Sequence, residues 1–175
     1  MKQYGIISIL LFVTLMLNAQ NMNDLELIRK SFQEIKSEDD LNSILVFQIE
    51  ESDKSEVNIV EAYKGAAQCM MANYVFSALS KLKNFNEGKK ILEASISENK
   101  NVENVYLRLL IQLNIPRILS YYKNVDEDIR FLEEHMAKAS IDTDYKHIMI
   151  KNLVSVTKRQ EQKDALLKID LFESC

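Results

Sequence analysis

Turn-forming residues are what this sequence lacks: its 175 residues hold three glycines and one proline, and past Gly5 only Gly65, Gly88 and Pro116 remain to bend the chain. Tight hairpins, phosphate-cradling loops and sandwich turns draw on residues that reach φ > 0 or hold φ near about −65°. The shortage argues against an all-β fold and against a P-loop. A hydrophobic share of 47% and a net charge of only −4, with no low-complexity run, argue against disorder. The expectation is an all-α fold, an array of antiparallel helical hairpins in the form of an α-α superhelix or an irregular bundle.

The N-terminus reads as an address. Lys2 precedes an uncharged apolar run over 5–17, and Asn18-Ala19-Gln20 supplies a small residue for cleavage. This is the pattern of a secretory signal peptide, with 1–19 removed and a single α-helical domain over 20–175. As a helix the run reaches roughly 20 Å, short of the ~30 Å hydrocarbon core, so no stable membrane insertion is expected after cleavage. No cysteine follows it, which argues against a lipoprotein, and the expected location is secreted or periplasmic. Asp and Glu outnumber Lys and Arg, 26 to 22, and are spread along the chain. That balance disfavours nucleic acid, whose phosphates need a basic face, the densest groups being Lys81/Lys83, Lys89/Lys90 and Lys158/Arg159. Export would permit a Cys69–Cys175 disulfide. Cys69 also reads as a small buried hydrophobe and Cys175 as a terminal residue, so the pairing stays open.

Helical spacing is plainest over 56–83, where Ile59/Val60, Tyr63, Ala66/Ala67, Met70/Met71, Tyr74/Val75, Ala78/Leu79 and Leu82 form one apolar stripe. It predicts an unbroken helix, with Gly65 thinning the rod for a close neighbour. Asn23 with Glu26, and Ser37 with Asp40, are start signals for two earlier helices. The run Ile44-Leu45-Val46-Phe47 has strand propensity, but no partner strand is in sight. Asn84-Phe85-Asn86 reads as a turn before a helix carrying Gly88, Leu92 and Ile96. The segment 102–113 is apolar nearly all round and should lie centrally. Pro116 should break the chain near 114–116 ahead of a short helix with Ile118, Leu119 and Tyr122. Asn124 with Glu127 opens a helix through about Ala139, and Asp142 or Thr143 opens another. The tail 160–175 fits helix and strand equally.

Ala72, Val75 and Leu79, then Asn84-Phe85, then Gly88 and Leu92, resemble a tetratricopeptide-type helical hairpin over 72–122. A shift of 34 residues, the family's repeat length, lays Ala72, Val75, Phe76 and Leu79 on Tyr106, Leu109, Leu110 and Leu113. Phe76 and Leu110 stand where the family carries a small residue, and Pro116 cuts the second unit. Residues 106–128 are also similar to a segment of secreted bacterial helical proteins, a likeness that carries no activity. The tetratricopeptide resemblance implies recognition of a protein or peptide.

Arg108 and Gln112 lie four apart on a helix otherwise apolar, and a buried charge there needs a partner. Asp126 or Asp128 is placed to supply it, so Arg108, Gln112 and Asp128 are read as a structural polar clamp. Tyr63, Tyr74, Tyr106 and Tyr122 are the residues expected to line a concave partner-binding groove. His135 and His147, with Asp142 and Asp144 between them, are the candidates for a metal or a small enzymatic centre, without any ligand motif to enforce it. Apolar-ligand carriage near Met70, Met71 and Leu110 is a further alternative. No serine or cysteine sits in a nucleophile motif and no cofactor is indicated. The function expected is a non-catalytic secreted or periplasmic module that binds a protein or peptide.

Overall fold

The computed structural model describes residues 23–49 and 54–173, so the proposed signal peptide and Cys175 lie outside the described residues. Those residues are all-helical, with α1 Asp24–Gln33, α2 Glu38–Leu45, α3 Lys54–Met70, α4 Ala78–Glu98, α5 Val102–Asn114, α6 Val125–His135, α7 Thr143–Val156 and α8 Gln160–Glu173. The start signals act as read. Asn23 accepts from the Glu26 amide at 2.8 Å, and Ser37 and Asp40 form a reciprocal capping box. Ile44 and Leu45 belong to α2 and the tail is helical through Glu173, which closes both ambiguities.

The rod expected over 56–83 is not continuous. Helix α3 ends at Met70, a 3₁₀ turn takes Met71–Asn73, and Ser77 caps α4 by accepting from the Ser80 amide at 3.0 Å. Asn84-Phe85-Asn86, read as a turn, lies inside α4. The apolar spacing runs through the break because it marks two different surfaces. Its first half supplies the core residues Val60, Tyr63, Ala66, Ala67 and Cys69, whereas Phe76, Leu79 and Leu82 face water.

The chain reverses at 71–77 because α3 and α4 share a backbone contact. Asn58 reaches the Ser95 carbonyl at 3.0 Å, and Gln68 reaches Asn84 at 2.7 Å, so the two helices run antiparallel. Gly65 and Gly88 meet where they cross. A Cβ on Gly88 would stand 2.5 Å from the Gly65 carbonyl oxygen and 2.7 Å from Cys69 Sγ; one on Gly65 would stand 2.8 Å from the Leu92 nitrogen. Beside the crossing, Cys69 directs its thiol to the Phe85 carbonyl at 3.6 Å, and burial pushes its pKa up to about 12.

Helix α5 is the centre, with every residue from Val102 to Leu109 buried, and it packs on α3, α4, α6 and α7. Pro116 ends it as expected. The chain then makes a single 3₁₀ turn, Arg117–Leu119, with Ser120 at φ 51°, instead of the short helix predicted through Tyr122. That left-handed residue turns Tyr121 back inside, edge-on to Phe85 with ring centroids 5.8 Å apart. Helix α6 stops at His135, short of Ala139, and the Asn124 side chain makes no cap hydrogen bond, its amide donating instead to Glu127 at 3.4 Å.

Alanine is the better helix former than glycine by ~1 kcal/mol, yet the clash at Gly88 is with backbone and cannot rotate away. Gly88→Ala should therefore destabilise by about 2 kcal/mol, with Gly65→Ala costing less, as measured by urea unfolding.

Candidate functional site

The polar groups buried around α5 form three networks. Glu103, 1% exposed, accepts a two-pronged ion pair from Arg29 of α1, Nε at 2.8 Å and Nη2 at 2.7 Å. Tyr63 of α3 donates to the same carboxylate at 2.6 Å and shares a hydrogen bond with Tyr145 of α7. The next residue, Asn104, donates to Asn58 at 2.6 Å and to the Asn99 carbonyl at 3.0 Å. Towards the other end, Arg108 holds Asp128 of α6 through Nε at 2.8 Å and Nη2 at 2.5 Å, and Glu93 of α4 through Nη1 at 3.0 Å. Tyr121 donates to Glu93 at 2.5 Å and completes that set.

Arg108 and Asp128 thus pair as the sequence pattern anticipates, an internal clamp between α5 and α6. Burial raises the Asp128 pKa even though Arg108 pulls it down. Gln112 does not join. Its Nε2 and Oε1 are both buried and neither finds a protein partner. Glu103, Asn104, Arg29, Glu93 and Tyr145 give no such sign in the sequence. Glu103 resembles an ordinary first-turn acid favoured by the helix dipole, and the signal against that is the apolar run that surrounds it.

The four-tyrosine groove does not form. Tyr63 and Tyr106 are fully buried, the first against Phe32 and Glu103, the second accepting from Asn152 at 3.1 Å. Tyr74 and Tyr122 do reach the surface, on the 71–77 and 115–124 connections. His135 stacks on Phe131 at 4.1 Å with its Nδ1 2.9 Å from the Phe131 carbonyl oxygen, while His147 sits half-buried on α7. Among the described residues no three His, Cys, Asp or Glu side chains converge as a metal site would require.

Three surface features remain. A groove of about 810 Å³ runs along α3 and α4, floored by Val57, Ile91 and Ala94 and edged by Glu61, Glu87 and Glu98. A cavity of about 440 Å³ opens between the 115–124 connection and the start of α8, and a shallower one of about 250 Å³ adjoins it. Met70, Met71 and Leu110 pack against the core and line neither the groove nor these cavities. The third feature is the tip of the α3–α4 hairpin. Phe76 there is fully exposed, Leu79 is 79% exposed, and Leu82 and Tyr74 lie beside them in sequence on the same tip. No described helix is long and apolar enough to cross a membrane. No family model, curated protein or solved structure matches the chain.

Removing Glu103 strands the Arg29 guanidinium, so Glu103→Leu should cost about 3 kcal/mol or more. The double change Arg29→Met with Glu103→Leu should recover much of that loss in urea unfolding, because no unpaired charge is left. The phenols give a pH prediction. Burial raises the pKa of Tyr63, Tyr121 and Tyr145, and that of Tyr106 to about 12, against about 10 in an unfolded chain. Above pH ~10 the unfolded state binds fewer protons than the native one, so stability is full below that pH and falls as pH rises through the folded values. Unfolding measured from pH 8 upward should show stability level to about pH 10 and then falling, with a slope approaching roughly 1.4 kcal/mol per pH unit for each buried phenol.

Proposed function

We propose that this chain is an exported, non-catalytic interaction module that presents the tip of the α3–α4 hairpin to a protein partner. The carrying observation is the exposure of Phe76, in the connection just before α4, and of Leu79, in the first turn of that helix. Isolated apolar residues on a surface need no explanation, but four exposed ones within nine residues, Tyr74, Phe76, Leu79 and Leu82, support an interaction site. Covering an exposed Phe or Leu side chain contributes ~1.5–3 kcal/mol, so two or three such residues suffice as the centre of a small interface. Helix α4 is held along its length by α3 and α5, and by Tyr121 against Phe85 and Glu93. The apolar run over 5–17 supports export, and the resemblance to helical hairpin repeats supports a binding role.

A photo-crosslinking residue at position 76, in cells that make the protein, should give a discrete protein adduct. The same residue at Leu167, an exposed apolar position on α8, should give none. Equal labelling from both positions, or no adduct at 76, would remove the basis for the reading.

A further inference from the structure

Although the chain is acidic overall, three long stretches past Asp24 carry no Asp or Glu: 62–86, 104–125 and 145–160. Each contains one reversal of the chain, at 71–77, 115–124 and 157–159. The fold gathers these reversals at one end. Tyr121 packs on Phe85 near the α3–α4 tip, and Lys158 and Arg159 line the 440 Å³ cavity together with Arg117 and Lys123. Acidic residues flank the opposite connections instead, Glu98 and Glu103 around 99–101, and Glu133, Glu134 and Asp142 around the α6–α7 link.

The cavity has a polar group without work. Gln112 is 4% exposed and lines the cavity, and both ends of its amide are buried without a protein partner. An amide left so costs ~1–3 kcal/mol, which a core position would shed by carrying leucine. The sole carboxylate in the lining, Asp126, is engaged by Gln162 at 2.7 Å. Leu113, Ile115 and Val125 provide an apolar wall. Helices α6 and α8 both begin here, and the positive ends of their dipoles add to the field of the four cations.

We propose that this cavity binds a small organic oxyanion, with its charge met by Lys158 and Arg159 and its uncharged polar group bonded to Gln112. The apolar wall takes the carbon skeleton. An amide supplies a donor and an acceptor together, so it selects a hydroxyl- or amide-bearing ligand over a bare ion. This site is independent of partner docking at Phe76.

Glycerol phosphate and inorganic phosphate serve as probes, titrated into the full folded domain and followed by amide and side-chain NMR shifts. Glycerol phosphate should shift the Gln112 side-chain amide and the backbone of 123–126 and 158–162 saturably, and should bind more tightly than inorganic phosphate. Changing Lys158 and Arg159 together to Gln should weaken binding about tenfold or more. Gln112→Leu should leave the thermal midpoint unchanged or raised while erasing the preference for glycerol phosphate. Sedimentation with vesicles of phosphatidylglycerol and phosphatidylcholine in equal parts tells a lipid headgroup from a soluble source, and saturable binding in either arm supports the site. Absence of binding in both arms overturns it. So does a response shared equally by Lys81 and Lys83, which would mark diffuse ion attraction, or a large destabilisation by Gln112→Leu, which would show that the amide is bonded within the protein.

Discussion

Two opposite charges buried on one helix decide where most of the others sit. Glu103 and Arg108 lie within α5, where an unpaired charge would cost several kcal/mol, so each draws partners from separate elements. Glu103 takes Arg29 from α1, Tyr63 from α3 and, through Tyr63, Tyr145 from α7. Arg108 takes Asp128 from α6 and Glu93 from α4. Apolar packing alone tolerates sliding and rotation between smooth helices. A forked ion pair does not, since it closes only at one register and one angle. The hydrophobic core supplies the driving force for collapse, and these two sites select which collapsed arrangement is native.

The glycine crossing plays the corresponding part for α3 and α4. Its geometry explains what could be read from the sequence and what could not. Gly65 in a helix interior carries a propensity penalty with no local use, which pointed to a close neighbour. The neighbour turned out to be Gly88, which requires the chain to reverse between them, and so the rod expected over 56–83 is two helices. Periodicity missed the break because it records spacing, not what lies opposite. Tyr74, Ala78/Leu79 and Leu82 keep the three-to-four rhythm of the preceding stripe while facing solvent. The Ser77 cap is a weak signal beside that rhythm, and the short αL corner at Ser120 carries none, since serine gives no hint of φ > 0.

At the candidate sites the legible part was the charge. Arg108 in an apolar helix demanded a carboxylate, and Asp128 provides it. Gln112 shares that face but not the network: its amide finds no protein partner, and the residue lines the cavity under Pro116. The tyrosines misled for a related reason. A phenol is amphipathic and suits a groove edge or a core with a waiting carboxylate equally well; Glu103, which makes the core the better place for Tyr63, cannot be matched to it before the fold is known. The exposed tip and the cation-lined cavity are properties of the assembled molecule, written in three separate stretches that only the topology brings together.

The backbone contact at Gly65 and Gly88 has a mechanical consequence. With no side chains between them, the two helices act as a single beam, the longer of which, α4, extends over ~31 Å for its 21 residues. Phe76 stands two residues before that beam begins, in a connection held at both ends by ordered helix, so much of its backbone entropy is already surrendered during folding. The same two helices are tied to the middle of the domain, α3 through Tyr63 on Glu103 and α4 through Glu93 on Arg108.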